Sequence, residues 1–372
     1  MSLILPGGAT DVLRSANASA SCPPARSTSA KSTRWAPLVP SGLRLIKYGL
    51  PVHLGQIEPL SVVAFTQAVA RSPRGDLAVD VGSNHGAYSV FAAALGAEVL
   101  AIDMQPMCAR DTACNLLANN MQERARVLLG YVTGDSAASP IAVPDDECES
   151  MASPSAVAGR WPHGAVQRKT RIIQGGDNRT NLLSPTMRLL PVRPLLLGEY
   201  IAREYSRCPD DRYACDRRRL PSISVVKIDT EGFEVRVLES LRPVWRSIRE
   251  VILELQPLAW THATVGADDG LRTLKELMVQ RNFEAITLPH KAANDTADEL
   301  GGWDACAAKP QPHRRSQNGD GPSPTRGAAT ALRLGPDDLE IYVRNAMRRP
   351  NVAGWFSDVM LTGRCRAGQP AR

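Results

Sequence analysis

Residues 77–90 read LAVDVGSNHGAYSV, an apolar run that ends in polar residues and glycines before a helical pattern begins. The run predicts a buried strand that carries the carboxylate of Asp80 at its tip. Gly82, Asn84 and Gly86 follow at once, and these residue types tolerate a positive φ angle. A strand, a tight turn and a helix start place a negative charge and free backbone N–H groups in one crevice. Such a crevice suits a cationic ligand better than a diphosphate.

Strand and helix patterns alternate on both sides of this stretch. The predicted strands cover residues 77–81, 98–102, 126–132, 169–173, 223–228, 249–255, 283–288 and 356–361. The predicted helices cover residues 60–71, 86–95, 106–120, 195–205, 234–241, 270–281 and 336–347. Strands that alternate with helices form a parallel sheet through right-handed crossovers. The sequence therefore predicts an α/β fold.

The composition divides the chain into a tail, a lead-in and one large domain. Residues 1–34 are rich in Ser, Ala, Pro and Arg and form a disordered or targeting tail, and residues 35–76 form an N-terminal lead-in. The domain covers residues 77–363. Its regular pattern breaks at residues 134–171 and again at 289–335, where Pro, Ser, Gly and Asn dominate. We interpret both stretches as surface inserts, because long irregular excursions inside a compact domain are usually functional or disordered loops.

The composition of the tail is what the sequence offers about the cellular compartment of the protein. Disorder is the first interpretation of this composition, an organelle transit peptide the second and a secretory signal the third. No apolar run approaches the roughly 20 residues that cross a bilayer, so no membrane span is expected. We therefore expect a soluble protein of the cytoplasm or an organelle.

The charge of the chain does not favour a nucleic-acid partner. The formal net charge of +6 comes mostly from scattered arginines, including the runs Arg217–Arg219 and Arg348–Arg349. Aromatic residues make up only 5% of the chain and do not alternate with these arginines. Nucleic-acid binding surfaces usually combine both features. Solvated arginine faces are the simpler interpretation.

The eight cysteines do not form a disulfide scaffold or a zinc motif, since none stands in a CxxC pair and no histidines accompany them at zinc spacing. Cys108 and Cys114 lie on a predicted helix face, where we expect buried thiols. Cys208 and Cys215 flank a loop and would close a small disulfide only in an oxidising compartment.

Four acidic residues stand at or near the carboxyl ends of predicted strands: Asp80, Asp103, Asp229 and Glu254. In an open parallel sheet the ligand lies at this edge, where the strand order reverses. A carboxylate in the position of Asp103 can accept hydrogen bonds from both hydroxyls of a ribose. Each acid alone is equally explained as a helix cap or a solvated loop residue. The four together favour a binding site.

The glycine pattern of the first loop decides between two nucleoside ligands. A dinucleotide fingerprint needs a glycine where this chain has Asn84, whose side chain would intrude on a pyrophosphate. Several carboxylates would also repel a diphosphate. S-adenosylmethionine carries a sulfonium, an ammonium and no phosphate, and it fits this loop better.

Four motifs together, VDVGSNHGAYS, AIDMQP, VVKIDTEGFEVRVLESL and VILELQP, resemble the FkbM-type S-adenosylmethionine-dependent methyltransferases in order and spacing. The resemblance covers about residues 77–257, with the first insert between the motifs. It implies the class I methyltransferase fold, a Rossmann-like three-layer sandwich around a seven-stranded, mostly parallel sheet whose last strand is antiparallel. It also implies S-adenosylmethionine as the cofactor and methylation of a hydroxyl as the commonest activity.

The resemblance assigns roles to individual residues of this chain. The cofactor-binding residues that it implies are Asp80, Gly82, Asn84, Gly86 and the ribose-binding acid Asp103. Asp229, Glu231 and Gly232 match the D-x-E-G motif beside the transferable methyl group. The chain departs from the family at Asp103, where glutamate is usual.

A hydroxyl acceptor must lose its proton, and Asp229 and Glu231 are our candidates for that task, followed by His85 on the cofactor loop. A solvent-facing helix start explains His85 as well, and a first-turn carboxylate explains Glu231 as well. Asp229 with Glu231 or Glu254 offers oxygen ligands to a divalent metal, but no His or Asn joins them and we assign no metal.

We expect a small-molecule or glycan acceptor, and a sugar, a lipid headgroup or a small metabolite fits equally. Two other functions stay open at this point. One is a nicotinamide-dependent oxidoreductase on a similar sheet, and the other is a non-catalytic module that binds the cofactor.

Overall fold

A computed structural model of the chain describes residues 10–13, 22, 43, 45, 59–145, 148, 189–206, 219–257, 259–260, 265–287, 332–347 and 357–363. The predicted strand at 169–173 and the pair Cys208 and Cys215 lie outside these ranges. So do most residues of both predicted inserts.

The strands and helices are numbered in chain order. The strands are β1 (Thr10–Asp11), β2 (Leu77–Val81), β3 (Glu98–Asp103), β4 (Ala125–Leu129), β5 (Tyr131–Val132), β6 (Ile141–Pro144), β7 (Leu189–Val192), β8 (Pro194–Leu195), β9 (Ile223–Ile228), β10 (Ile248–Leu255), β11 (Phe283–Thr287), β12 (Leu332–Leu334) and β13 (Ser357–Gly363). The helices are α1 (Pro59–Ala70), α2 (Ala87–Ala94), α3 (Pro106–Ala118), α4 (Leu197–Glu204), α5 (Glu234–Ser240), α6 (Ala267–Arg281) and α7 (Asp338–Met347). Short 3-10 turns cover Gln122–Arg124 and Arg242–Ser247.

Nine strands form the main sheet in the order β1-β4-β3-β2-β9-β10-β13-β11-β12. The seven from β4 to β11 match the sheet that the sequence predicts, and β13 runs antiparallel to both of its neighbours. The class I methyltransferase fold is therefore confirmed. The sheet differs from the prediction by one short antiparallel strand at each edge, β1 beside β4 and β12 beside β11.

The strand register brings the carboxyl ends of the central strands to one edge. Ile228 lies level with Val81 on one side and with Leu253 on the other, so β2, β9 and β10 end together. β3 lies on the far side of β2, and β10 lies on the far side of β9. The strand order therefore reverses between β2 and β9, which is where an open α/β sheet binds its ligand.

Alternating side chains of the strands build a core on each face of the sheet. In β2, Val79 and Val81 belong to the core on the face that α4–α7 cover. Ala78 belongs to the opposite core, together with Phe65 of α1 and Leu116 of α3. Because side chains alternate along a strand, the even-numbered residues of β2 face α1–α3. The chain is a three-layer sandwich in which Asp80 points towards the α1–α3 layer.

Two disulfides tie other segments to α3. Cys114 pairs with Cys22 of the N-terminal segment, and Cys108 pairs with Cys148, which follows β6. The prediction that Cys108 and Cys114 are buried thiols was wrong. Their partners lie 40 and 92 residues away in the sequence, so the pattern of the helix alone does not reveal them.

Part of the predicted tail contributes to the fold. Thr10 and Asp11 pair with β4, and Asp11 is buried. Within the described ranges, no helix combines the length and the apolar character that a membrane crossing needs.

Candidate active site

A cavity lies at the carboxyl edge of the sheet, in the cleft between β2 and β9. Five of the predicted site residues line it: Gly82, Asn84, Asp103, Asp229 and Glu231. Among the described residues, Asp80, His85 and Gly86 are not part of its lining. The ends of β2, β3 and β9 thus converge on one cavity. Of the four strand-end acids that the sequence groups together, Asp103 and Asp229 line it, whereas Asp80 and Glu254 do not.

Gly82 allows the two central loops to meet. Its φ angle is +77°, and a Cβ atom built on it would lie 1.7 Å from the backbone oxygen of Asp229. That distance is far below any real contact. Only glycine fits at this position, because any side chain would collide with the loop after β9. Its absence lets the loops after β2 and β9 touch.

We expect Gly82→Ala to lower the free energy of unfolding by about 2 to 4 kcal/mol, since overpacking adds to the cost of a positive φ angle. Thermal or urea unfolding measures the change. Gly75→Ala is the matched control, because Gly75 has φ +85° with nothing within 4 Å of a built Cβ. An equal loss of stability in both variants would contradict the proposed contact.

Asp103 is held as a hydrogen-bond acceptor by two backbone amides. The N–H of Asn84 donates to Oδ2 and the N–H of Gln105 donates to Oδ1, both at 2.8 Å. Each carboxylate oxygen has a second lone pair, so both can still accept a hydroxyl donor. Burial raises the pKa of Asp103 to about 7, although both amides oppose the shift. This fixed pair of acceptors suits the two hydroxyls of a ribose.

Asn84 shapes the rim of the cavity. Its φ angle of +52° is in the left-handed region, which asparagine tolerates. The sulfur of Cys148 lies 3.3 Å from the side-chain oxygen of Asn84. The disulfide between Cys108 and Cys148 therefore anchors a part of the first insert beside the loop after β2.

Asp80 lies behind the cavity and is 1% exposed. Its Oδ2 accepts a hydrogen bond from the Ser89 hydroxyl at 2.6 Å, and its Oδ1 has no partner. Burial raises the pKa of Asp80, and the ammonium of Lys227 on the next strand opposes the shift. Asp80 thus supports the cleft from the α1–α3 side.

His85 and Gly86 also turn away from the cavity, towards α3. The His85 Nδ1 lies 2.8 Å from the Asp111 carboxylate. Gly86 has φ +75°, and a Cβ there would lie 2.7 Å from the side chain of Thr112. Both residues fasten the start of α2 to α3. The structure brings Asp229 and Glu231 together and places His85 elsewhere.

The acidic side chains of Asp229, Glu231 and Glu254 have oxygen atoms within 4.8 Å of one another. Lys227 donates to Asp229 Oδ2 at 2.7 Å, and Gln256 donates to Glu231 Oε2 at 3.1 Å. Glu231 has a φ angle of +53°, an uncommon backbone for a glutamate. Such strain is typical of functional sites, and here it accompanies a side chain in the cavity lining.

Glu234 stabilises the loop after β9 and was not among the predicted site residues. It is fully buried. Its Oε1 accepts from the Gly232 N–H at 2.7 Å, and its Oε2 accepts from the Trp260 Nε1–H at 3.1 Å. Burial raises the pKa of Glu234 to about 8. The signal for this role is the acid two residues after the D-x-E-G motif.

We expect Glu234→Ala to lower the free energy of unfolding by about 3 kcal/mol, because it leaves two buried donors without partners. Chemical unfolding measures the loss. Glu239→Ala on the same helix is the control, since Glu239 forms a partly exposed ion pair with Arg236 and should cost less than about 1 kcal/mol. Similar losses in the two variants would disprove a special role for Glu234.

Lys227 was also missed by the sequence analysis. Its side chain is 5% exposed and lies between the Asp229 carboxylate and the ring of Tyr88, 4.6 Å from the ring centroid. The available signal is a lysine inside the otherwise apolar strand ISVVKI.

Comparison with known proteins places these residues in a family. The sequence profile of the methyltransferase FkbM domain matches residues 80–277, more than half of the 372-residue chain. No curated protein matches the chain. The family match confirms the resemblance that the four sequence motifs carry.

Two solved structures show remote similarity to the chain. One is precorrin-6y C5,15-methyltransferase from Geobacter metallireducens GS-15, with 11% identity over 62% of this chain and 78% of that chain and a TM-score of 0.25. The other is a putative methyltransferase from an antibiotic biosynthesis pathway of Anabaena variabilis ATCC 29413, with 15% identity over 81% and 96% and a TM-score of 0.25.

Proposed function

The chain belongs to the methyltransferase FkbM domain family, and on this premise we propose that it transfers a methyl group from S-adenosylmethionine to a hydroxyl oxygen. The observation that carries the proposal is the cavity between β2 and β9, where the acceptor pair of Asp103 and the carboxyl groups of Asp229 and Glu231 share one lining. Carboxylates in one cavity suit a ligand with a sulfonium and an ammonium.

The residues present fit this cofactor. Asp103 keeps one free lone pair on each oxygen for the ribose hydroxyls. Gly82 and Asn84 form the loop of the cavity that would lie against the nucleoside. Asp80 and Gly86 support that loop through Ser89 and Thr112. We therefore propose direct binding for the first three residues and support for the other two.

S-adenosylmethionine supplies an electrophilic methyl group on a positively charged sulfur. The task of the chain is to hold the acceptor in line with that group and to take the acceptor's proton. Positioning of two reactants contributes up to about 7 to 11 kcal/mol in the best cases. A positioned base contributes roughly 100- to 10,000-fold. Asp229 and Glu231 line the cavity and are the candidates for the base, whereas the contact of His85 with Asp111 supports a structural role for His85.

We propose a sugar, a lipid headgroup or a small metabolite as the class of acceptor. Part of the first insert lies beside the cavity, because Cys148 of the insert is 3.3 Å from Asn84. This placement supports a role for the insert in selecting the acceptor.

The test of the function is a methyl-transfer screen of the purified protein against pools of hydroxylated acceptors, with mass spectrometry locating the added methyl group. We expect release of S-adenosylhomocysteine and a methyl ether on the product. Parallel binding assays with S-adenosylmethionine and NAD separate the rivals. Binding of NAD alone would favour an oxidoreductase, and cofactor binding without any turnover would favour a binding module.

We infer the cellular compartment of the protein from its two described disulfides. Protein disulfides persist in oxidising compartments and are rare in the cytoplasm. The two pairs, Cys22 with Cys114 and Cys108 with Cys148, therefore support maturation in an oxidising compartment over a cytoplasmic location. Peptide mapping of the native protein under non-reducing conditions should recover both cross-linked peptides. Free thiols at Cys108 and Cys148 in the native protein would contradict this proposal.

A further inference from the structure

Two carboxyl groups of the cavity lining, those of Asp229 and Glu231, have a third carboxyl group beside them, that of Glu254. Asp229 and Glu231 follow β9, and Glu254 lies near the end of the adjacent strand β10. Their oxygen atoms lie within 4.8 Å of one another. Like charges this close in a partly buried site raise one another's pKa, which favours a proton on one of the three groups.

The ammonium of Lys227 decides which group stays ionised. It donates to Asp229 at 2.7 Å from within the sheet, and its side chain is almost fully buried. Burial alone would raise the pKa of Asp229, but the charge of Lys227 and hydrogen bonds from Glu254 and Lys227 lower it. Burial and the neighbouring Asp229 charge raise the pKa of Glu254 well above its usual range. The lowered pKa of Asp229 and the raised pKa of Glu254 both agree with the contact between Lys227 and Asp229.

We propose that Glu254 is a neutral acid that donates a hydrogen bond to Asp229, so that the pair carries one negative charge beside Lys227 and Glu231 is the carboxylate left to act as the base. Glu254 is then a positioning residue that acts through Asp229. The inference rests on the proposed methyl transfer for the role of Glu231. The proton on Glu254 rests on the spacing of the three carboxyl groups and on the contact of Lys227 with Asp229.

The proposed methyl transfer moves one proton and one methyl group. The O–H bond of the acceptor breaks and its proton goes to the Glu231 carboxylate. The electron pair of the acceptor oxygen forms the new O–CH₃ bond, and the S–CH₃ bond of the donor breaks with its electron pair returning to sulfur. Gln256 donates to Glu231 Oε2, and a carboxylate has further lone pairs that can take the proton.

The same cluster could be taken for a divalent metal site, because carboxylates are the ligands that hard cations prefer. Such a site needs its carboxyl groups ionised. The Lys227 ammonium already contacts Asp229 Oδ2. The proposed proton on Glu254 makes this second carboxyl group a poor metal ligand. The proposal and a metal site therefore make opposite predictions for Glu254.

The kinetic test compares Glu254→Leu with Glu254→Gln. Leucine removes the donor to Asp229, and we expect kcat to fall roughly 10- to 100-fold with little change in KM. Glutamine keeps an N–H donor and no charge, so it should restore most of the lost kcat. Glu254→Gln as inactive as Glu254→Leu would overturn the proposal, because an ionised ligand or base cannot be replaced by an amide.

An infrared measurement tests the proton without any turnover. The difference spectrum between the wild type and Glu254→Gln at neutral pH should show the carbonyl band of one protonated carboxyl group. A difference spectrum is needed because Asp80 and Glu234 also have raised pKa values. Absence of that band, or its loss on addition of Mg²⁺ to the wild type, would overturn the proposal. The band is independent of methyl transfer, so the proposed function can fail while this inference stands.

Discussion

Replacing Glu231 by glutamine should lower kcat for methyl transfer by roughly 100- to 10,000-fold, with a much smaller loss of affinity for S-adenosylmethionine from the missing charge. The amide has the shape of the carboxylate but cannot accept the acceptor's proton. Gln256 can still meet the amide oxygen, so the loop should keep its position. A loss of kcat that far exceeds the loss of cofactor affinity is the signature of a base.

Steady-state turnover and cofactor binding, measured on the same preparations, check this expectation. Glu340→Gln is the control, since Glu340 is an exposed glutamate paired with Lys275 on the far helices. It should behave as the wild type. A Glu231→Gln variant with at least half of the wild-type kcat would assign the base to another residue.

Replacing Asp103 by alanine should weaken the binding of S-adenosylmethionine by about 100-fold or more. The change removes two acceptors for the ribose, and charge-assisted hydrogen bonds contribute about 1.5 to 3 kcal/mol each. It also leaves the N–H groups of Asn84 and Gln105 without their partner. Equilibrium dialysis with labelled cofactor measures the affinity.

Asp135→Ala is the matched control for this change. Asp135 also accepts a backbone hydrogen bond, from the Ala137 N–H at 2.8 Å, but it lies in an exposed loop. Its replacement should leave cofactor affinity unchanged. Equal affinities of Asp103→Ala and the wild type would remove the ribose assignment.

The affinity should also depend on pH through Asp103. Its pKa in the free protein is raised to about 7 by burial, so the carboxylate is partly protonated near neutrality. Two ribose donors favour the carboxylate and pull the pKa down, which means that binding releases a proton. The affinity should therefore rise between about pH 6 and pH 8, by at most about tenfold per pH unit, and level off above. Calorimetry over this range should find the dependence in the wild type and lose it in Asp103→Asn.

The sequence predicted the central part of the fold well, because its signals are local. β2 and β9 begin and end where the apolar runs do, and the acid-rich turns after them mark the ligand edge. The edge strands β1 and β12 have two and three residues, too few to show a period. They form because the sheet offers unpaired edges, which a local pattern does not show.

Side-chain directions and contacts between residues far apart in the sequence explain why the other predicted site residues lie away from the cavity. Asp80 ends an apolar strand, but its even position turns it towards Ser89 and away from the cavity. His85 has Asp111 as its partner, 26 residues away, and this pairing exists only once α2 packs on α3. Asp103, Asp229 and Glu231 share one cavity lining because β3 ends at Asp103 and the other two residues follow β9 at the same edge of the sheet.

The most direct test of the account is a crystal structure with S-adenosylhomocysteine at saturating concentration. We expect the ligand in the cleft between β2 and β9, with its ribose hydroxyls donating to Asp103 and its sulfur near Glu231. A ligand bound elsewhere on the chain, or an empty cleft at saturation, would contradict it.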